Sequence, residues 1–171
     1  MSFSAELKKQ RWDDHRLYHH SRVNQSLHFL SALTFIVTYA LCFVNAAWAA
    51  FLGWFVAMWI RQAGHFFFEP KGFDVVNDLD HAEKEAIKVG YNLRRKVILL
   101  SIWIATPVFL ILDPSAFGLF QDPSSRGFVE SLGILWFALG IAAVFFRTIQ
   151  LCFIMDAKTG IVWFTKILTD P

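Results

Sequence analysis

The chain has 171 residues, of which 56% are hydrophobic and 18% are charged. Its mean hydropathy is +0.43, so the composition excludes an ordinary water-soluble domain and indicates one integral membrane domain over residues 1–171. The net charge of +2 and the absence of a basic groove interleaved with aromatics give no reason to expect a nucleic-acid partner.

Four apolar stretches predict transmembrane helices, because each is close to the roughly 20 residues that cross a bilayer core. They cover residues 27–44, 46–68, 97–112 and 128–153. Asn45 alone separates the first two stretches, which predicts a tight antiparallel hairpin over 27–69 after an N-terminal segment, 1–26. The other two predict a second hairpin over 97–155, with a kink or break at Pro107.

The segment between the hairpins, 77–96, predicts an amphipathic helix. Its apolar residues recur at spacings of three and four, and acids precede bases along it, as the helix dipole favours. These residues are Leu79, Ala82, Ala86, Val89 and Leu93. The predicted fold class is therefore all-α, a polytopic membrane helix bundle of about four transmembrane helices in two hairpins plus a cytoplasmic amphipathic helix.

The distribution of basic residues predicts the orientation of the bundle. Of the sixteen lysines and arginines, Arg126 alone falls in the loops on the hairpin-turn side. The positive-inside rule then places both termini in the cytoplasm. We expect an integral protein of the cell inner membrane if the source is bacterial, and of the endoplasmic reticulum if it is eukaryotic.

Four of the six histidines are predicted to meet at the cytoplasmic end of the first hairpin. His28 opens the first span and His65 closes the second, so antiparallel helices bring them together. His19 and His20 directly precede the first span and can fold back onto the same end. Ionisable groups at the ends of packed spans tend to be functional, so these four are the predicted metal ligands.

Nearby side chains complete the predicted site. Glu69 lies one helical turn after His65, and imidazole with carboxylate suits either iron or zinc. The amides of Asn24 and Gln62 are placed to orient a ligand ring. The two remaining histidines, His15 and His81, are interpreted differently: His15 as an exposed surface residue, and His81 as a surface ion pair or a peripheral ligand.

Two motifs then resemble a known family. Residues 17–28, Leu-Tyr-His-His-Ser-Arg-Val-Asn-Gln-Ser-Leu-His, resemble the Tyr-His-His-Asn-Pro-x-Asn-x-x-x-His opening of the membrane 2-hydroxy fatty acid dioxygenases. Residues 59–70, Trp-Ile-Arg-Gln-Ala-Gly-His-Phe-Phe-Phe-Glu-Pro, resemble that family's Gln-x-x-Gly-His-x-x-Phe-Glu-Lys motif. The resemblance implies a multi-span membrane enzyme that uses ferrous iron, Fe(II), and O2 to shorten a 2-hydroxy acyl chain by one carbon.

The resemblance also implies roles for individual residues. It identifies His19, His28 and His65 as catalytic, iron-binding residues, with His20 as a further ligand and Glu69 as a further catalytic residue. It assigns binding of a fatty-acyl substrate to Tyr18, Arg22 and Arg61, where an arginine would pair with the substrate carboxylate.

Other functions remain open on the sequence. The residues fit a non-catalytic metal- or lipid-binding membrane protein, or a membrane metalloenzyme that acts on another lipid, and the ligand types alone also admit zinc. A two-iron hydroxylase or desaturase is disfavoured, because six histidines without paired histidine boxes are too few.

Overall fold

The computed structural model describes residues 1–68, 72–87, 89, 93–121 and 125–170, apart from the side chains of Tyr18, Glu85 and residues 93–96. Within these residues 79% are helical and none forms a strand, which confirms the all-α prediction. The helices are α1 (Phe3–Tyr18), α2 (Arg22–Cys42), α3 (Ala46–Phe51), α4 (Met58–Phe68), α5 (His81–Ile87), α6 (Leu93–Leu112), α7 (Phe128–Ile154) and α8 (Ala157–Thr169).

The first hairpin turns where the sequence predicts it. Asn45 is the N-cap of α3, and its side-chain oxygen accepts a hydrogen bond of 3.0 Å from the backbone N–H of Trp48. Beyond the cap, helix continues to Phe68 through a π-helical segment, Leu52–Ala57, that joins α3 to α4. This second arm runs antiparallel to α2.

The face of α2 that packs against the second arm is small and polar. Asn24, Ser31 and Thr38 are its buried residues, and they are spaced seven apart. The Ser31 hydroxyl donates a 2.8 Å hydrogen bond to the carbonyl of Ala57, which ends the π-helical segment. Small residues let helix backbones approach closely, and buried hydroxyls bond across the contact, as in membrane helix pairs. We call these three residues the polar seam.

The outward face of α2 is apolar instead. Phe29, Ile36 and Val37 expose 67%, 58% and 53% of their surface. A helix that buries amide and hydroxyl groups while exposing large hydrophobic side chains has the polarity expected in lipid rather than in water.

Aromatic residues tie the second hairpin to the first. The Trp54 indole N–H donates to the carbonyl of Trp136 at 3.2 Å, and the Trp136 indole N–H donates to the carbonyl of Trp103 at 3.0 Å. The Trp103 and Trp136 rings stack at 4.9 Å. The N–H groups of Trp54 and Trp136 are thus satisfied while the rings fill the space between the π-helical segment, α6 and α7.

Two helices at the chain ends pack on each other through polar contacts. The Lys166 ammonium of α8 lies 2.6 Å from the Asp14 carboxylate of α1, and Lys166 is buried. Farther along, the Thr159 hydroxyl donates to Glu6 at 2.9 Å. The sequence predicted a cytoplasmic segment at 1–26 without indicating that it is largely helical or that it pairs with α8.

The predicted amphipathic helix over 77–96 is wrong at its N-terminal end. Asp78 has a positive φ of 53°, which breaks any helix there. Asp80 instead caps α5: its carboxylate accepts from the Glu83 N–H, and Glu83 accepts from the Asp80 N–H, both at 2.8 Å. Helix therefore starts at His81 and α5 ends at Ile87, while α6 begins as a separate helix at Leu93. By contrast, α6 continues through Pro107.

Two helices, Arg22–Cys42 and Phe128–Ile154, are long and apolar enough to cross a membrane, and Val97–Leu112 is a shorter apolar helix. The predicted count of four spans stays a prediction, as do the domain boundaries drawn from it.

We predict that Gly133→Ala destabilises the bundle. An added Cβ would lie 2.6 Å from the Ala47 Cβ and 2.7 Å from its Cα, so α3 and α7 would have to separate. Overpacking of this kind costs about 1–3 kcal/mol, measurable as a lower thermal midpoint by circular dichroism in detergent. Gly140→Ala is the matched control on the same helix, since its Cβ would meet no atom closer than 4.0 Å. Equal midpoints for the two variants would contradict the close α3–α7 contact.

Candidate functional site

Three histidines from three helices meet at one end of the first hairpin. His28 lies in the second turn of α2, His65 in the last turn of α4, and His19 is the C-cap of α1. The ring centroids are 4.2 Å apart for His19 and His28, 4.7 Å for His28 and His65, and 6.3 Å for His19 and His65. The structure thus brings together the three residues that the sequence places at the centre of the site. Their role as ligands stays a prediction.

The spacing of these rings is compatible with one shared metal ion. His19 Nε2 and His28 Nδ1 are 3.0 Å apart. With metal–nitrogen bonds of about 2.1 Å, two nitrogens at a right angle around one ion lie about 3 Å apart, and two ligand ring centroids can be at most about 6.4 Å apart. All three centroid distances fall within that bound. His19 Nδ1 is also buried and has no hydrogen-bond partner in the described part of the chain.

The three histidine side chains do not have the arrangement of a complete metal site. Among the described residues, no group of three or more His, Cys, Asp or Glu side chains has the geometry to hold a metal. The residues fit a metal by donor type and by spacing, and side-chain rotation would be needed to direct the third imidazole, His65, at a common point. Glu69, the predicted carboxylate, lies outside the described residues.

A close contact between α2 and α4 sets the position of the cluster. Asn24 is fully buried, and its side-chain oxygen lies where a Cβ of Gly64 would be. The same Cβ would come within 3.3 Å of His28 Cδ2. A side chain at residue 64 would therefore displace the buried Asn24 amide or push α4 away from α2. The sequence predicts Asn24 as a ligand-orienting residue, and it lies at the centre of this contact.

His19 is held in place by its backbone and kept neutral by its surroundings. Its N–H donates to the carbonyl of His15 at 3.1 Å, and its carbonyl accepts from the Gln25 amide at 2.7 Å. Burial, followed by the nearby His65, His15 and Arg61, lowers the pKa of His19 from 6.5 to about 4. The imidazole is therefore neutral at physiological pH, which is the form that binds metals.

His20 contacts a carboxylate instead of lining the cavity with the other three rings. Its Nε2 lies 3.2 Å from the Asp74 carboxylate, which also binds the Lys84 ammonium at 3.1 Å. Burial acts to raise the pKa of Asp74, but hydrogen bonds from Asn77 together with Lys84 and His20 hold it well below its usual range. His20 thus belongs to a buried ionic network that fixes the loop before α5, although its predicted role as a ligand is untested.

A cavity of about 650 Å³ opens onto the histidine cluster. It is bounded by α1, α2, α4 and α8, and its lining includes four imidazoles and several cations. These residues are His15, His19, His28, His65, Lys8, Arg11, Arg61 and Lys166. The sequence did not indicate the contribution of α8, because nothing in a chain segment more than ninety residues away predicts where it docks.

Of the predicted substrate-binding residues, Arg61 lies in the cavity lining and Arg22 does not. Arg61 lines the cavity, with its guanidinium 5.7 Å from the centroid of the Phe35 ring. Arg22 is exposed and does not line it. The Tyr18 side chain lies outside the described part. Gln62 is half-buried in α4 and is also absent from the lining.

Residues 6–75 match the model of a family described as 2-hydroxy-palmitic acid dioxygenase Mpo1-like. The resemblance to this family is confirmed over that segment. Searches of curated proteins and of solved structures give no match. The matched segment contains His19, His28, His65 and Asp74, whereas α5 to α8 lie beyond it.

We predict that Gly64→Ala separates the two helices at the cluster and disturbs it. The new methyl group would overlap the Asn24 side chain and press on His28, so we expect the histidine ¹H–¹⁵N signals of His28 and His65 to shift or broaden in detergent NMR spectra. Gly53→Ala is the control on the same helical arm, because its Cβ would sit at an ordinary 3.4 Å from Thr38. Unchanged His28 and His65 signals in Gly64→Ala would show that this contact does not position them.

Proposed function

We propose that this protein is a membrane-embedded, Fe(II)-dependent dioxygenase that shortens 2-hydroxy fatty acids by one carbon. The observation that carries the proposal is the convergence of His19, His28 and His65 inside a segment that matches a 2-hydroxy-palmitic acid dioxygenase family. Three imidazoles beside a cavity are the donor type that ferrous iron accepts, and three protein donors would leave further coordination positions for substrate and O2.

The proposed reaction needs no external reductant. A 2-hydroxy acid plus O2 gives the acid one carbon shorter, CO2 and water, and the four electrons lost by the two terminal carbons are the four that O2 accepts. Iron, when bound, would supply the one-electron chemistry that lets O2 react with an organic molecule. The chain's own contribution is to hold the ion through His19, His28 and His65 and to bind the acid beside it.

Arg61 is the proposed partner of the substrate carboxylate. It lines the cavity with the three histidines, and its buried Nε–H has no hydrogen-bond partner among the described residues. A buried donor without a partner is costly, so an acidic ligand would be stabilised there by a charge-assisted hydrogen bond. Arg22, the other candidate from the sequence, is too exposed to take this role.

A bilayer location fits this substrate. The polar seam of α2 is buried while its outward face is apolar, which supports a location in the bilayer. The four apolar stretches and the distribution of basic residues support a four-span bundle with cytoplasmic termini, in the cell inner membrane or the endoplasmic reticulum. In that orientation the histidines lie at the membrane surface, where the acid group of a fatty acid resides, and the acyl chain stays in hydrocarbon.

We predict that the purified protein binds iron stoichiometrically and converts 2-hydroxypalmitate to pentadecanoic acid in an O2-dependent reaction. His28→Ala and His65→Ala should each lose the iron, because each removes one of three convergent donors. Elemental analysis and mass spectrometry of the products measure the two effects. His81→Ala is the control, because His81 is exposed at the start of α5 and does not line the cavity.

Full iron occupancy in both mutants would refute the proposed site. Iron binding without product would favour the alternative, a non-catalytic metal- or lipid-binding membrane protein or a metalloenzyme for another lipid. Zinc in place of iron in protein isolated without added metal would contradict the dioxygenase.

We predict that Arg61→Met raises KM for 2-hydroxypalmitate by about 10- to 100-fold, the cost of losing a hydrogen-bonded charge pair. Iron content should not change, since arginine is not a metal donor. Arg22→Met is the matched control, because that side chain is exposed and outside the cavity. A similar KM for wild type and Arg61→Met would remove Arg61 from substrate binding.

A further inference from the structure

The histidine cluster has a neighbour that the sequence placed on the surface. His15 lines the same cavity as His19, His28 and His65. His15 belongs to the last turn of α1, one helical turn before His19, and the two ring centroids are 5.6 Å apart. That distance lies inside the bound of about 6.4 Å for two imidazoles that share one ion.

For His20 the sequence and the structure differ in the opposite direction. The sequence makes it the fourth donor because it adjoins His19, yet its ring faces the buried carboxylate of Asp74 and does not line the cavity. Helix geometry explains why His15, and not His20, lies beside His19 in the cavity. Residues four apart lie on one face of α1, whereas the residue after the C-cap leaves the helix in another direction.

We propose that His15, and not His20, is the fourth imidazole of the metal site. This inference rests on the proposed function, since it concerns the same ion. The site then consists of the half-buried His19, His28 and His65 together with the exposed His15, and it takes a divalent metal of the iron, cobalt or zinc type through nitrogen donors alone.

The surroundings of His15 leave its ring available. Asp14, the acid beside it, is engaged by the buried ammonium of Lys166 at 2.6 Å. The Trp12 ring lies 6.1 Å away and borders one side. His15 is exposed, so a change of rotamer can bring its nitrogen toward the ion without moving the backbone of α1.

Metal titration of the full chain in detergent tests this assignment. The protein is stripped with a chelator and titrated with Co²⁺, and the number of bound nitrogens is counted by pulsed EPR of the Cu²⁺ form. We expect His15→Ala to weaken Co²⁺ binding at least about tenfold, as loss of a metal-site partner typically does, and to lower the nitrogen count by one. His15→Gln guards against a folding effect, and His81→Ala is the histidine control.

The outcomes separate the two proposals. Wild-type affinity and nitrogen count in both His15 variants, with binding lost in His28→Ala, would overturn the role of His15 and leave the proposed function standing. Loss of the nitrogen in His20→Ala instead would likewise overturn the role of His15. No Co²⁺ binding by the wild type would overturn both proposals.

Discussion

The contact between Asn24 and Gly64 is the constraint on which the candidate site depends. It brings α2 and α4 so close that a single methyl group at residue 64 would collide with a buried amide. His28 lies one helical turn after Asn24, and His65 directly follows Gly64, so the same contact decides how far apart their rings lie. Farther along the hairpin, Ser31 and Thr38 of the polar seam extend this contact between α2 and the second arm. Together these contacts hold the two arms in one register.

The polarity of α2 suits such a seam to lipid surroundings. In water, a helix gains by burying its large apolar residues, and α2 exposes them instead. In lipid the apolar face costs nothing, and the buried amide and hydroxyls are the groups that need partners. Packing in the first hairpin therefore comes from close approach of small residues and a few directed hydrogen bonds, while the aromatic residues between α3, α6 and α7 fill the larger gaps.

Hydropathy and histidine placement were sufficient to predict the hairpin, its turn at Asn45 and the meeting of His28 with His65, because these follow from antiparallel geometry. The direction of His19 and His20 was not predictable, since Asp74 and Lys84 decide it from more than fifty residues away. The break before α5 could have been found locally: Asp80 and Glu83 have the spacing of a capping box. The docking of α8, by contrast, depends on polar pairs that no sequence pattern specifies.

The π-helical segment makes the length of the second arm part of the site. Such a turn is wider than an α-helical turn and accommodates extra backbone without breaking the helix. Each residue of an α-helix advances its side chain by about 100° around the axis. If the same residues formed an uninterrupted α-helix instead, the arm beyond Ala57 would be rotated by about that angle, and His65 would turn away from the cavity that the other imidazoles line.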